Sequence, residues 1–238
     1  MAKTKLPSQR GAPTIDLRAA IKRLAPLYPA GAVLTDPLAI LVWENIGYLI
    51  DDDTRTELFD EFRRRIGLKA QEIANAPVST IAGIAKRGGM HPQKRADRLK
   101  EIGRLAIREC DGDVVARLRA LPLPKARALL KKFPAIGDPG ADRILLFAGI
   151  AAVPALDSNG LRALVRMGFA DEGKSYAQAY KSGVAALAKE GAGDFDWLRR
   201  AWLVLRAHGK ALCKRSAPLC EPCPLDRVCA HRPTSSRM

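Results

Sequence analysis

Several patterns that would indicate a membrane, secreted or β-sheet protein are missing from this sequence. No apolar run approaches the roughly 18 residues that a membrane-spanning helix needs, and the N-terminus carries no apolar signal segment. We therefore expect neither membrane insertion nor secretion, and a cytoplasmic location. Sustained alternation of β-branched and polar residues, which is typical of half-buried strands, is also absent. This absence predicts an all-α fold.

Negative charge is scarce relative to positive charge. The 238 residues include 40 lysines and arginines against 25 aspartates and glutamates, which leaves a formal net charge of +15. An apolar fraction of 47% and a charged fraction of 27% are typical of a folded chain and exclude a disordered one. Such a basic folded chain indicates a polyanionic partner, either nucleic acid or an anionic membrane surface, unless it is merely a basic soluble protein. Composition alone does not separate these three interpretations.

The cysteines are few and unevenly spread, which argues against a disulfide framework distributed over the fold. Cys110 stands alone and is expected to be a small buried residue. The other four form one C-x6-C-x2-C-x5-C pattern: Cys213, Cys220, Cys223 and Cys229. Structural zinc usually uses two separated C-x2-4-C pairs, and only one C-x2-C is present here. The spacing therefore favours an iron–sulfur cluster over zinc, with the protein in a reducing compartment.

Apolar periodicity predicts helices through most of the chain, after a basic and flexible tail at 1–13. Asp36-Pro37 has the pattern of an N-cap followed by proline in the first turn, and it opens an almost wholly apolar helix. The basic helix at 92–109 is predicted to carry Arg95 on its outer face. A further helix is predicted after Asp157. The other predicted helices cover about 15–28, 37–50, 54–66, 70–75, 78–86, 124–133, 139–148 and 196–208.

The region 124–150 has the pattern of two short helices joined by a tight turn. Phe133-Pro134-Ala135-Ile136-Gly137 connects the two helices, and a proline lies at the start of each. The backbone N–H groups of Ala135, Ile136 and Gly137 at such a turn can bind a DNA phosphate without contacting a base. Helical hairpins are also common packing units, so the pattern alone leaves both interpretations open.

Two acidic residues are conspicuous in their local sequence. Asp157 precedes a predicted helix, where it fits the position of an N-cap. Glu44 directly follows the apolar stretch 38–43. A carboxyl group with such neighbours is expected to have a raised pKa and so to be protonated near neutral pH, which suits proton donation. A hydrogen bond to a helix terminus is the alternative explanation of a polar residue at position 44.

The hairpin, Asp157 and the cysteine pattern follow one another along the chain. Together with His208-Gly209-Lys210 and the segment from Pro222 to Cys229, they resemble the helix-hairpin-helix (HhH-GPD) base-excision DNA glycosylase superfamily. The similarity is to members of the endonuclease III, adenine DNA glycosylase and mismatch glycosylase type, which carry a C-terminal iron–sulfur cluster loop. It covers most of the chain.

This resemblance implies an all-α, two-lobed fold and a [4Fe–4S] cluster bound by the four clustered cysteines. One lobe is a six-helix barrel that carries the helix-hairpin-helix. The other is a helical iron–sulfur domain formed by the N-terminal and C-terminal segments. The implied boundaries are 34–152 for the barrel, 124–150 for the hairpin, 14–33 and 153–238 for the iron–sulfur domain, and 213–229 for the cluster loop.

The main departure from the family pattern concerns the nucleophile. Bifunctional members carry a lysine just after the hairpin glycine, and its amine forms a Schiff base with the sugar. Pro139 occupies that position here, so this route is closed. Monofunctional members pair the aspartate with a glutamate of the first barrel helix, and alignment on Asp36-Pro37 gives Glu44. By analogy with glycoside hydrolases, Glu44 is assigned as the general acid and Asp157 as the group that stabilises the sugar cation or activates water.

The resemblance also indicates where DNA is contacted. The family's intercalating glutamine corresponds to Leu49, with Tyr48 adjacent. An apolar wedge at this position would fill the space that an extruded base leaves, whereas packing in the core is the alternative. Lys210, Lys214 and Arg215, beside the cysteine loop, could contact phosphates or form a solvated basic loop.

The hairpin itself departs from the pattern at two positions. Ala135 replaces a glycine that is usual in the family, and Asp138 brings a carboxylate close to the expected phosphate. Repulsion by that carboxylate should weaken the anion site. These differences indicate either altered DNA contacts or a hairpin with another use.

The sequence therefore predicts a monomeric, monofunctional DNA glycosylase of base excision repair that removes a damaged or mismatched base from double-stranded DNA. One alternative is a bifunctional endonuclease III-like glycosylase and AP lyase that uses Lys131 or Lys132. The other is a non-catalytic iron–sulfur protein that binds DNA. Because the sequence ends soon after Cys229, we expect no further domain for recognising oxidised guanine. This expectation favours thymine or uracil opposite guanine as the target, with a damaged or alkylated base nearly as plausible.

Overall fold

The computed structural model describes residues 14–231, and within that range all regular secondary structure is helical. The predicted all-α class is confirmed. The predicted tail at 1–13 lies outside the described residues, as do residues 232–238 of the predicted iron–sulfur domain. Within the described range, no helix combines the length and the apolar character that a bilayer crossing requires.

The helices follow one another with short connections, and a single 3-10 turn, Ala25–Leu27, follows the first of them. They are α1 (Leu17–Leu24), α2 (Pro37–Ile46), α3 (Asp52–Arg65), α4 (Ala70–Asn75), α5 (Val78–Ala85), α6 (Pro92–Cys110), α7 (Val114–Arg119), α8 (Leu123–Leu130), α9 (Asp138–Phe147), α10 (Ser158–Met167), α11 (Tyr176–Gly191) and α12 (Phe195–Ala211).

The chain divides into two compact units. The middle unit is Leu34–Ala151, and the terminal unit combines Met1–Val33 with Ala152–Met238. Helices α2 to α9 therefore belong to the middle unit, whereas α1 and α10 to α12 belong to the terminal unit. The terminal unit is thus built from segments that are far apart in the sequence.

In the middle unit, α2 is buried along most of its length because nearly all of its residues are apolar. Its start is as predicted: the Asp36 carboxylate accepts a hydrogen bond of 2.8 Å from the Ala39 N–H, and Pro37 occupies the first helical position. Helix α6 packs against α2, α4 and α5. Leu99 and Ile102 of α6 are fully buried, and burial of each such side chain contributes about 1.5–3 kcal/mol.

The end of α2 differs from the prediction, because the helix stops at Ile46 and does not continue to about residue 50. Gly47 adopts an extended conformation, and the Tyr48 N–H donates to the Gly88 carbonyl at 2.8 Å. Leu49 then takes a left-handed conformation with φ of 57°. Pairing with a loop forty residues away thus ends the helix, and apolar periodicity does not reveal such a partner.

Helices α7 and α11 are present although apolar periodicity does not indicate them. Helix α7 has only six residues, and it is held by Asp113, whose carboxylate caps the Ala116 N–H at 2.9 Å. The buried face of α11 includes the small residues Ala179 and Gly183, so the helix lacks a strong stripe of large apolar residues.

In the terminal unit, α12 packs against α10, α1 and α11. Gly209, near the end of α12, lies directly against the start of α10. A Cβ atom at Gly209 would come within 2.3 Å of the Asn159 carbonyl oxygen, so a side chain there would push the two helices apart. This close approach fixes the N-terminus of α10, where Asp157 lies.

Candidate active site and cysteine loop

Asp157 caps α10, as its position in the sequence indicates. Its Oδ1 accepts a hydrogen bond of 2.7 Å from the Gly160 N–H, and its Oδ2 accepts one of 3.2 Å from the Asn159 amide. The Arg206 guanidinium lies 3.4 Å from Oδ2. These partners fix the carboxylate, yet 27% of the side chain stays exposed. Asp157 therefore presents a partly exposed carboxylate in a fixed position.

Glu44 does not have the apolar surroundings that its sequence neighbours suggest. Arg143 of α9 donates to its Oε1, and 32% of the Glu44 side chain is exposed. Arg143 is mostly buried and also lies over the Phe147 ring, with 5.9 Å between its Cζ and the ring centroid. The prediction of a carboxyl group among apolar neighbours is wrong, because a cation 99 residues further along the chain pairs with it.

The hairpin turn is tied to α2 by the residue next to Glu44. The Asn45 amide donates to the Pro134 carbonyl at 3.0 Å and to the Leu41 carbonyl at the same distance. Ala135 has a left-handed conformation with φ of 61°. A glycine would adopt this conformation with little strain, whereas for alanine it costs roughly 1 kcal/mol. The absence of the usual glycine at Ala135 therefore leaves some strain in the turn.

Helix α9 begins one residue earlier than predicted, so that Gly137 is the N-cap and Asp138 the first helical residue. The Asp138 carboxylate is paired with Lys131, with 2.7 Å between Nζ and Oδ1. This pairing reduces the repulsion that the carboxylate would exert on a phosphate at the turn. Lys132, the other candidate amine, is paired with Glu109 at 2.6 Å.

Tyr48 and Leu49 are exposed, with 53% and 78% of their surfaces accessible. The alternative that Leu49 packs in the core is therefore wrong. Met90 is also exposed and lies on the loop that pairs with this segment through the Tyr48–Gly89 bridge. Gly89 has φ of 90°, and a Cβ there would lie 2.2 Å from the Tyr48 carbonyl oxygen. Met90 is not among the residues predicted from the sequence.

The sequence pattern predicts Arg95 on the outer face of α6, but only 3% of it is exposed, so this prediction is wrong. Its guanidinium donates to the carbonyls of Ala85 and Gly89, and so holds the loop that carries Met90. Burial, together with nearby Arg55, lowers the pKa of Arg95. The count of basic residues on this helix gives no sign that one of them points inward.

The predicted phosphate contacts Lys210, Lys214 and Arg215 have exposed side chains. Two arginines of α10 that the sequence pattern does not single out bind backbone carbonyls of the segment 209–215. Arg166 donates to the carbonyls of Lys214 at 2.5 Å and Arg215 at 2.9 Å. Arg162 donates to the carbonyls of Gly209 at 2.6 Å and Cys213 at 3.1 Å. The basic loop is thus anchored directly to the helix that Asp157 caps.

All four clustered cysteines are free thiols that line one apolar pocket of the terminal unit. The pocket walls include Met167, Leu212 and Leu225. Burial, reinforced by the neighbouring cysteines, raises the pKa of Cys220, Cys223 and Cys229, and that of Cys229 reaches about 11. Cys110 is buried in the middle unit, as predicted.

The four clustered cysteines supply the type of ligand that an iron–sulfur cluster uses. Within residues 14–231, no three His, Cys, Asp or Glu side chains converge closely enough to hold one metal ion. The four thiols line the same pocket. An iron–sulfur cluster is held by four cysteine thiolates, so this donor set fits the chemistry of that group.

His208 is a further residue of this pocket that the sequence reasoning did not assign. Its Nε2 lies 4.0 Å from the Cys223 Sγ, and its Nδ1 lies 3.2 Å from the Tyr28 hydroxyl. Burial lowers the pKa of His208 to about 4 and raises that of Tyr28 to about 12. Both side chains are therefore neutral at physiological pH. Residues near both ends of the chain thus meet beside the cysteines.

The order of the helices and the capped aspartate after a helical hairpin define the endonuclease III-like helical fold, and comparison with known proteins confirms it. The structure of a thermostable thymine-DNA glycosylase aligns with a TM-score of 0.71, 20% identity and coverage of 90% of this chain and 95% of that one. A non-covalent endonuclease III–DNA complex aligns with a TM-score of 0.71, 17% identity and coverage of 91% and 94%.

Sequence comparison gives a relative of the same type. A thymine/uracil-DNA glycosylase from Pyrobaculum aerophilum is 28% identical over 207 residues, which cover 82% of this chain and 80% of that protein. No family model matches the sequence. The resemblance to helix-hairpin-helix base-excision glycosylases that the sequence motifs indicate is thereby confirmed.

Proposed function

We propose that this protein is a monofunctional DNA glycosylase of base excision repair. It hydrolyses the N-glycosidic bond of a damaged or mismatched base extruded from double-stranded DNA. The observation that carries the proposal is the fixed and partly exposed carboxylate of Asp157 in a chain that has Pro139 where a Schiff-base lysine would stand. The confirmed fold and the glycosylase relative support it.

In the proposed mechanism the Asp157 carboxylate stabilises the positive charge that develops on the deoxyribose as the base departs. A water molecule then bonds to C1′ and gives a proton to a carboxylate. The departing base takes up a proton, for which Glu44 is the proposed donor. Because Arg143 pairs with Glu44, this pair must separate before Glu44 can bind and donate a proton.

The proposed organisation follows the implied boundaries, with a barrel at 34–152 and an iron–sulfur domain at 14–33 and 153–238. DNA contacts are proposed at the hairpin amides of Ala135, Ile136 and Gly137 and at the exposed Tyr48 and Leu49. Phosphate contacts are proposed at three basic side chains near the cysteine loop: Lys210, Lys214 and Arg215.

We infer that a [4Fe–4S] cluster is bound by Cys213, Cys220, Cys223 and Cys229. Its part is structural, because hydrolysis of an N-glycosidic bond involves no electron transfer. Folding of the cysteine loop around the cluster would also position the basic residues that Arg162 and Arg166 anchor. The apolar pocket lined by all four thiols supports this assignment.

The cluster assignment is tested by a pair of cysteine variants. Cys223→Ser is expected to lower the iron and sulfide content and the visible absorbance, because it removes one of four thiolates. Cys110→Ser is the matched control, since Cys110 is a buried cysteine of the other unit, and it is expected to retain the cluster. Equal iron content in both variants would contradict the assignment.

The proposed target is thymine or uracil mismatched with guanine, a choice that rests on the named activity of the Pyrobaculum relative. To test it, purified protein is incubated with end-labelled duplexes that carry uracil or thymine opposite guanine, adenine opposite oxidised guanine, or an alkylated base. Base release from the first two duplexes is expected. Binding without release from any duplex would instead favour the non-catalytic alternative.

Leu49 is expected to act as the wedge that replaces an extruded base. Leu49→Ala should slow base release from duplex DNA by about tenfold and leave release from a single strand unchanged, since only the duplex requires unstacking. Because Leu49 is 78% exposed, the free energy of unfolding should change by less than about 0.5 kcal/mol. Leu27→Ala, at another exposed leucine, is the control; equal losses on duplex and single-stranded substrates would contradict the wedge.

A further inference from the structure

A second cavity in the terminal unit adjoins the cysteine pocket, with which it shares Arg166 and His231, and it has no role in the mechanism above. Its volume is about 430 Å³, which is within the range of small-molecule sites. Helix α10 forms one wall of the cavity and the start of α11 forms another. The segment after Cys213 closes the cavity. The lining residues are Ser158, Leu161, Arg162, Val165, Arg166, Glu172, Tyr176, Ala179, Arg215 and His231.

The walls of this cavity combine an apolar floor with a basic rim. Leu161, Val165 and Ala179 provide the floor. The rim carries the guanidinium groups of Arg162, Arg166 and Arg215. Within the described residues, none of these three groups forms an ion pair with a carboxylate. Glu172 is the acidic residue among the lining side chains. A ligand that has both an apolar face and a negative charge fits such walls.

Two features of the rim are held in place before any ligand binds. The guanidinium groups of Arg162 and Arg166 are fixed by backbone carbonyls of the cysteine loop. The Tyr176 ring is 51% exposed and stacks on Tyr180, with 6.2 Å between ring centroids and 17° between planes. An exposed ring held on one face can accept a flat, aromatic ligand on the other.

The cavity lies beside the residue proposed to act on the sugar. Ser158, which lines it, directly follows Asp157. Burial and the Asp157 charge raise the pKa of Tyr176. A neighbouring groove shares Ser158, Arg162 and Arg215 with the cavity and is also lined by Lys210 and Lys214. The basic surface therefore continues past the cavity, as a nucleic-acid backbone would require.

We propose that this cavity binds one unpaired nucleotide of a DNA strand, with its base stacked on Tyr176 and its phosphate on Arg215. The neighbouring groove takes the next phosphate of the same strand. The identity of the ligand as DNA rests on the proposed function, whereas the cavity and its chemistry do not. An apolar floor with an aromatic edge and a track of positively charged side chains is the arrangement by which proteins hold single strands without reading their sequence.

The test measures binding of a fluorescently labelled short oligothymidine to the full chain over a range of salt concentrations. Tyr176→Ala is expected to weaken binding about tenfold without changing the salt dependence, because stacking releases no counterions. Tyr176→Phe should bind as the unchanged protein does. Arg215→Ala should reduce the slope of log affinity against log salt by about 0.7, since one phosphate contact is lost.

Lys181→Ala is the control, because Lys181 is an exposed lysine of α11 outside the cavity. It should leave both affinity and slope unchanged. Equal binding by Tyr176→Ala and the unchanged protein would overturn the proposal, as would a loss that Lys181→Ala reproduces. Circular dichroism of each variant verifies that it folds. Oligothymidine contains no damaged base, so this result is independent of whether the protein releases bases.

Discussion

Asp157→Asn is expected to abolish base release while the fold and the iron content are retained. Asparagine caps helices about as well as aspartate does, so the bond to the Gly160 N–H persists and only the charge is lost. Loss of that charge from the transition state should slow single-turnover base release by about 10²- to 10⁴-fold. Rates are measured with enzyme in excess over labelled duplex, so that DNA binding does not limit them.

Asp194→Asn is the matched control for this variant. Asp194 caps α12 in the same unit, and its carboxylate accepts a bond of 2.9 Å from the Trp197 N–H. The same chemical change at Asp194 should leave base release unaltered. If the Asp157 variant lost helix content or iron together with activity, the residue would be a structural cap and its proposed role in catalysis would be wrong.

Glu44→Gln is expected to give the second largest loss, about 100-fold in kcat, because the variant cannot donate a proton to the departing base. The glutamine carbonyl can still accept the hydrogen bond from Arg143, so the link between α2 and α9 is kept. The dissociation constant for a duplex that carries the target base should change little. Kinetics at saturating enzyme separate this effect on the chemical step from an effect on binding.

Glu109→Gln controls for the loss of an ion-paired carboxylate in the middle unit, since Glu109 pairs with Lys132 at 2.6 Å. It is expected to leave kcat unchanged. A Glu44 variant with full activity would exclude this residue as the acid and leave Asp157 as the acidic group of the mechanism.

Local signals in the sequence were sufficient for much of the fold. The start of α2 follows from Asp36-Pro37, and Asp157 was placed correctly as an N-cap, because capping depends on residues three positions apart. The four cysteines line one pocket because a short loop brings them together. Such features depend on spacing within one or two helical turns, and sequence reveals that spacing directly.

Contacts between distant segments were not predictable in the same way. Arg143 is 99 residues from Glu44, and its guanidinium replaces the apolar surroundings expected from residues 38–43. The pairing of Tyr48 with Gly88 shortens α2, and the inward position of Arg95 depends on carbonyls of the preceding loop. Each of these depends on tertiary packing, which helical periodicity does not encode.

The central claim is that water, and no amine of the protein, displaces the base. The most direct test measures strand breaks and protein–DNA adducts after the protein is incubated with its preferred end-labelled duplex. The incubation is run with and without borohydride, and the products are then treated with or without alkali. The account predicts strand breaks only after alkali, and no protein–DNA adduct with borohydride. A trapped adduct together with breaks in the absence of alkali would contradict it and indicate a lyase that uses an amine such as Lys131 or Lys132.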